Sequence, residues 1–198
     1  MKKKVFNTIG ILLIIIGVVI LASTIYMKYT AYKRQAQLRQ AFENSLNIED
    51  NNDKSENQNK ESDLKSKNDS VKAIGILIIP KIDLNVAIGE GVDDEILKYA
   101  VAHFPETAMP GQAGNCCIAG HRNFTYAEYF KNLDKLSKGD EIIIKTKDKE
   151  YTYLVTESFI VDPEQIEVLE PTKEPTITLV TCTIGAKQRL IVKGILKQ

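Results

Sequence analysis

The chain is poor in the residues that usually build metal sites. Its 198 residues include two histidines, His103 and His121, and three cysteines. Neither a CxxC nor an HExxH pattern occurs, so the spacing gives no reason to expect a zinc site. Three cysteines cannot all pair with one another, so at least one thiol must be free. We therefore expect no metal ion and no cofactor.

The chain also lacks net charge. Its 26 lysines and arginines balance 26 aspartates and glutamates, which gives a formal net charge of zero. The sequence has no basic stripe with interleaved aromatic residues, which is the pattern expected of a nucleic-acid surface. We expect no nucleic-acid partner.

The long apolar run lies near the N-terminus, at residues 5–27. About 20 apolar residues can cross a bilayer as a helix. A cleaved signal peptide is the alternative, but its apolar core is usually about 7–15 residues, and no small-x-small site follows this run. We predict an uncleaved single-pass anchor in the cell membrane.

The orientation of this anchor rests on the basic residues that flank it, Lys2, Lys3 and Lys4 before it and Lys28, Lys33 and Arg34 after it. The first cluster favours a cytoplasmic N-terminus, whereas the second pulls the other way. We predict that residues 1–4 are cytoplasmic and that the rest of the chain beyond the anchor is extracellular.

Residues 28–71 are predicted to be an extracellular spacer. Its first part, to about residue 46, has helical composition, and residues 47–70 are almost devoid of apolar side chains. Such a segment cannot bury enough surface to offset the entropy lost on ordering. We expect the folded catalytic domain to occupy residues 72–198.

Short apolar runs separated by turn signals fill the domain. Strands are expected at 73–79, 82–88, 115–120, 141–145 and 151–161, and helices at 93–101 and 126–136, with a loop over 162–175. Many short strands with few helices favour a mainly β fold, either a barrel or a sandwich.

The last two apolar runs, within residues 176–194, predict a β-hairpin. If residues 183–188 form its loop, Cys182 and Arg189 become a cross-strand pair with Cβ atoms about 5 Å apart. The opposite face would then carry the core residues Ile177, Leu179, Leu190 and Val192. A guanidinium beside a thiol favours the thiolate, which is the nucleophilic form. The alternative is a half-buried cysteine beside a solvated arginine.

A catalytic thiol also needs a nearby base or imidazolium. His121 is the better candidate because it follows an apolar strand and begins a polar loop, whereas His103 lies beside a proline-containing loop and is equally suited to a structural hydrogen bond. Strand alternation puts Cys117 on the same face as His121, with Cys116 on the other. We expect Cys116 and Cys117 to be reduced packing residues, with Cys117 as the rival nucleophile.

Three separated blocks carry a resemblance to a known family. HFPETAMPGQ followed by GNCCIAGHR, then TLVTC, then Arg189 resemble the sortases, which are membrane-anchored cysteine transpeptidases of Gram-positive bacteria. The resemblance implies a closed eight-stranded β-barrel with His121, Cys182 and Arg189 as the catalytic set. It also implies that Thr181 contacts the substrate.

The resemblance implies a reaction as well. An LPxTG-like sorting signal is cleaved through a thioester on Cys182 and transferred to a cell-wall precursor amine. In this reaction Cys182 attacks as a thiolate and His121, as an imidazolium, protonates the leaving glycine amine and then acts as a base for the incoming amine. Arg189 binds the oxyanion or the peptide. Within the family, the compact loops resemble class D or class A.

Two alternatives remain open from the residues. An L,D-transpeptidase would also act outside a bacterial membrane, but its SxGCxR motif is absent, since TIGAKQR follows Cys182. The second alternative is a non-catalytic, membrane-tethered β-barrel that only binds its partner. It would be favoured if the thiol were buried and inert.

Overall fold

The computed structural model describes residues 2–49, 73–123 and 127–197. Two α-helices lie in these ranges, α1 (Lys2–Glu49) and α2 (Asp94–Leu97). Short 3-10 helices cover Pro80–Ile82, Leu133–Lys135 and Ile166–Leu169. The strands are β1 (Ala73–Ile79), β2 (Leu84–Glu90), β3 (Val101–His103), β4 (Gly114–Ala119), β5 (Glu141–Lys145), β6 (Glu150–Val161), β7 (Pro175–Cys182) and β8 (Arg189–Leu196).

These strands close into a barrel in the order β1-β2-β3-β4-β7-β8-β6-β5. Neighbours are antiparallel except for two parallel pairs, β2 with β3 and β4 with β7. The predicted closed eight-stranded barrel is therefore confirmed. Its interior is filled by branched aliphatic and aromatic side chains, among them Leu77, Ile118, Ile144, Tyr153 and Leu179.

The barrel interior also fixes the faces of the closing hairpin. The predicted inner residues of β7 and β8, which are Ile177, Leu179, Leu190 and Val192, all belong to the buried core. Because side chains alternate along a strand, Cys182 and Arg189 lie on the outer face, as the sequence predicts.

Two predicted helices differ from the structure. The helix expected over 93–101 is reduced to α2, and its last predicted residue, Val101, instead begins β3 between β2 and β4. Asp93 caps α2 by accepting a hydrogen bond from the Ile96 N–H, at 3.1 Å. Pairing on both sides of β3 therefore outweighs the helical preference of this segment.

The helix expected over 126–136 is wrong for the part that the structure describes. Residues 127–136 contain turns and the 3-10 helix Leu133–Lys135. Phe130 is fully buried in the core, and its N–H bonds to the carbonyl of His121, at 3.0 Å. The apolar spacing therefore reflects a loop that packs inward, a case in which core contacts and helical periodicity look alike in sequence.

Helix α1 has two parts with different surroundings. Its N-terminal part has the length and apolarity needed to cross a membrane, and its side chains there are exposed. Its C-terminal part packs on the barrel and buries Ala31, Gln35 and Phe42. Gln35 Nε2 donates to the carbonyl of Asn85 across this contact, at 3.3 Å. Residues 50–72, which hold most of the predicted flexible spacer, lie outside the described residues, so the spacer and the domain boundaries stay predictions.

The contact between α1 and the barrel generates a prediction. Phe42→Ala is expected to release the end of α1, because truncating a buried phenylalanine typically costs about 3–5 kcal/mol. Hydrogen exchange of residues 31–42 in the full chain should become faster, while the barrel strands stay protected. Glu43→Gln is the control, since it removes only an exposed pair with Arg39. Equal exchange in both variants would contradict the packing of α1 on the barrel.

Candidate active site

The hairpin of β7 and β8 carries both Cys182 and Arg189. Cys182 ends β7 and pairs directly with Arg189 at the start of β8, which confirms the predicted cross-strand pair. The loop between them is closed by a hydrogen bond from the Thr183 N–H to the Gln188 carbonyl, at 3.0 Å. Gly185, at φ 84°, supplies the left-handed backbone that this turn needs.

The histidine reaches the same place through β4. Parallel pairing sets Ala119 opposite Val180, and the Gly120 N–H extends the ladder by donating to the Val180 carbonyl, at 3.1 Å. The chain therefore reaches His121, two residues after β4 ends, level with the end of β7 at Cys182. Both side chains line one pocket of about 140 Å³.

Thr181 has a visible structural contact. Its side chain is buried, and its hydroxyl donates to the Gly120 carbonyl, at 2.8 Å. This bond ties β7 to the residue before His121 and so helps to hold His121 and Cys182 level with each other. A substrate contact for Thr181 stays a prediction.

Residues around His121 fix its loop, and sequence reasoning did not identify them. A Cβ at Gly120 would lie 2.7 Å from the Phe130 ring, so only glycine permits this packing. Arg122 is buried, and its Nη2 meets Asp134 Oδ1 at 2.7 Å. A buried arginine needs an acidic partner, but the sequence does not show which acid comes close.

The electrostatics of His121 suit proton transfer. Burial lowers its pKa below the usual 6.5, and the negative charge of Asp94 acts in the opposite direction. A lowered pKa favours the neutral ring, which can accept the proton of a thiol, whereas the resemblance implies an imidazolium at this position.

His103, the other histidine, is almost fully buried. Its Nδ1 lies 3.0 Å from a carboxylate oxygen of Glu90, and its Nε2 lies 3.0 Å from the carbonyl of Ala108. Both ring nitrogens are engaged by the fold, which supports the structural alternative for this residue.

The two remaining thiols are buried and free. Cys116 belongs to the barrel core. Cys117 lies on the outer face of β4, where burial raises its pKa to about 11. A thiol with this pKa is almost entirely protonated at neutral pH and makes a poor nucleophile. Cys182 is the most exposed of the three cysteines, which favours it over Cys117 as the nucleophile.

Comparison with known proteins places the chain in a family. Residues 77–197 match the sortase domain family. Sortase A of Bacillus anthracis is 28% identical over 98% of this chain and 95% of its own length. Sortase D of Bacillus subtilis is 33% identical, over 62% of this chain and 63% of its own.

Sortase SrtE1 of Streptomyces coelicolor is 36% identical over 62% of this chain, but the match spans only 40% of that protein. Among solved structures, a Clostridium perfringens Sortase D5 transpeptidase superposes with a TM-score of 0.64 and 32% identity. That match covers 87% of this chain and 99% of the other. The chain belongs to the sortase family of cysteine transpeptidases.

The position of Asp94 generates a pH prediction. If neutral His121 accepts the thiol proton, kcat/KM for peptide cleavage should fall as His121 is protonated, with a midpoint below pH 6.5. Asp94→Asn removes a negative charge that raises the pKa of His121, so the acid limb should move to still lower pH. The measurement is a pH profile at low salt, because salt screens an exposed charge.

The control for this profile is Glu95→Gln, which removes a neighbouring exposed carboxylate that pairs with Lys98. Its acid limb should stay where the unmodified protein has it. An acid limb that moves upward in Asp94→Asn would contradict the assigned sign.

Proposed function

We propose that Cys182, His121 and Arg189 form the catalytic set of a sortase that cleaves LPxTG-like sorting signals and joins them to a cell-wall amine. The observation that carries this proposal is the convergence of two strand ends. His121 and Cys182 line one pocket, and Arg189 pairs with Cys182. The family's sorting-signal chemistry requires these three functions: a nucleophile, a proton carrier and an oxyanion donor.

The first half of the reaction forms a thioester. The Cys182 thiol gives its proton to His121 as the sulfur attacks the carbonyl carbon of the threonine in the Thr–Gly bond. Arg189 donates hydrogen bonds to the oxygen that becomes negative. The C–N bond then breaks, His121 protonates the departing glycine amine, and the threonine carbonyl remains bound to the Cys182 sulfur.

The second half transfers the peptide. An amine from a cell-wall precursor attacks the thioester carbonyl and loses a proton to His121. The C–S bond breaks, a new amide forms, and the proton returns to the Cys182 sulfur. Protons and charges therefore balance over the cycle, with no group required beyond the two substrates.

The proposed location is the outer surface of the cell membrane. The apolar N-terminal part of α1 supports a membrane anchor, and the lysines before it favour a cytoplasmic N-terminus. The barrel would then be extracellular, where sorting signals and cell-wall precursors are found.

The direct test of the catalytic set is a substitution series. Cys182→Ala and His121→Ala should each reduce cleavage of an LPxTG peptide to near background, with the barrel still folded by circular dichroism. Because the two residues act as one unit, the double variant should be little worse than either single variant. Cys117→Ala, which changes the other outer-face thiol, should keep its activity. Substantial cleavage by Cys182→Ala would remove the assignment.

The role of Arg189 is tested by replacing it with lysine, which keeps the positive charge but changes the arrangement of the hydrogen-bond donors. Arginine offers a planar fork of donors, whereas lysine is a point charge on a flexible stem. We expect Arg189→Lys to lose about 10²–10³ in kcat, as is typical when an oxyanion donor is removed. The rate of thiol alkylation should stay similar. Near-native turnover in Arg189→Lys would reduce the residue to a general electrostatic role.

A further inference from the structure

The loop between β6 and β7, residues 162–174, lies over the outer face of the sheet that carries the catalytic set. It begins after Val161, which pairs with Arg189. It ends at Pro175, which pairs with Gly114 at the opposite end of β4. The loop must therefore cross the outer face from the reactive end of β7 to its far end. Consistent with this path, the outward residues Thr178 and Ile191 are fully buried.

One side chain on β4 holds this loop. Asn115 is 1% exposed, and its Nδ2 donates to the carbonyls of Val168 and Glu170, at 3.0 and 3.1 Å. Its Oδ1 accepts from the Thr178 hydroxyl, at 2.7 Å. A side-chain amide offers two donors and an acceptor, so Asn115 has both donors and the acceptor engaged.

These contacts satisfy backbone carbonyls of the loop. Val168 belongs to the 3-10 helix Ile166–Leu169 and Glu170 follows it, and the last carbonyls of a helix lack partners within it. The Asn115 amide supplies two donors there, and the Cys117 Sγ lies 3.9 Å from the carbonyl between them, that of Leu169.

The other end of the loop is tied to the catalytic hairpin. Gln188 Nε2 donates to Asp162 Oδ1, at 2.9 Å. Gln188 directly precedes Arg189, so the loop starts beside the reactive pair. The loop is thus attached both to β4 and to the hairpin that carries Cys182.

We propose that Asn115 is a positioning residue that clips the β6–β7 loop onto the barrel as a preformed wall of the peptide-binding groove. This inference rests on the proposed function of the Cys182 site. A preordered wall spares the peptide the entropy of ordering the loop when it binds. Releasing the clip should therefore weaken peptide binding and leave the chemical step largely intact, because Asn115 does not line the pocket of His121 and Cys182.

The experiment uses the full chain in detergent micelles, with the near-isosteric Asn115→Asp as the main variant and Asn115→Ala as the second. Both remove the two donors to the loop. Thr178→Val keeps those donors, and Cys116→Ala changes a residue of the same strand that belongs to the barrel core. Two readouts are taken for each protein: hydrogen exchange of residues 162–174, and KM and kcat for an LPxTG peptide.

We expect both Asn115 variants to exchange faster over residues 162–174 and to raise KM by about tenfold, on the scale of two lost hydrogen bonds. Their kcat should change less than about threefold. Thr178→Val should have a smaller effect on KM, and Cys116→Ala should leave both loop exchange and KM unchanged.

Unchanged loop exchange in Asn115→Asp would overturn the clip, and so would a loss confined to kcat. Faster loop exchange and a raised KM in Cys116→Ala would also overturn the clip, since general loosening of β4 would then explain the result. If the unmodified protein does not cleave the peptide, the proposed function fails, and the clip is decided by the exchange readout alone.

Discussion

The parallel pairing of β4 with β7 is the constraint on which the site depends. Cys182 ends β7 and His121 follows the end of β4 by two residues, and the register that sets Ala119 beside Val180 brings these two positions level. The backbone bond from Gly120 to Val180 and the Thr181 hydroxyl bond to Gly120 extend this register to the last residue before His121. A slip of one residue here would separate the histidine from the thiol and turn its side chain to the other face.

The hydrophobic core enforces this register. In β7 and β8, the inward residues are fully or almost fully buried, and a shift by one position would remove them from the core and turn Cys182 and Arg189 into it. Burying an arginine without a partner is costly. Burial of the apolar side chains and exclusion of Arg189 from the core therefore favour the same alignment. The outer face is thereby left for chemistry at one end and for attachment of the β6–β7 loop along its length. Strand β4 serves both, because it presents Asn115 to the loop and delivers His121 to the pocket.

The parts of the fold that follow from local pattern could be predicted from the sequence. The bounds of β5 and the Cys182–Arg189 pair depend on alternation and turn length, which neighbouring residues determine. Strand β3 could not be identified in this way, because its three residues become a strand only between β2 and β4. The apolar spacing around Phe130 looked helical, although those residues pack as a loop. Of the site, the histidine, cysteine and arginine are marked by motif, whereas the contacts of Arg122 and Asn115 join residues distant in sequence.

The role of Cys182 is tested most directly by finding where the peptide becomes covalently attached. The full chain would be mixed with an LPxTG peptide, quenched with acid and mapped by mass spectrometry at low pH, where thioesters persist. We predict an added mass equal to the peptide through its threonine less one water, on a fragment that contains Cys182 and neither of the other cysteines. The same mass on a fragment with Cys116 and Cys117, or no adduct during active turnover, would contradict it.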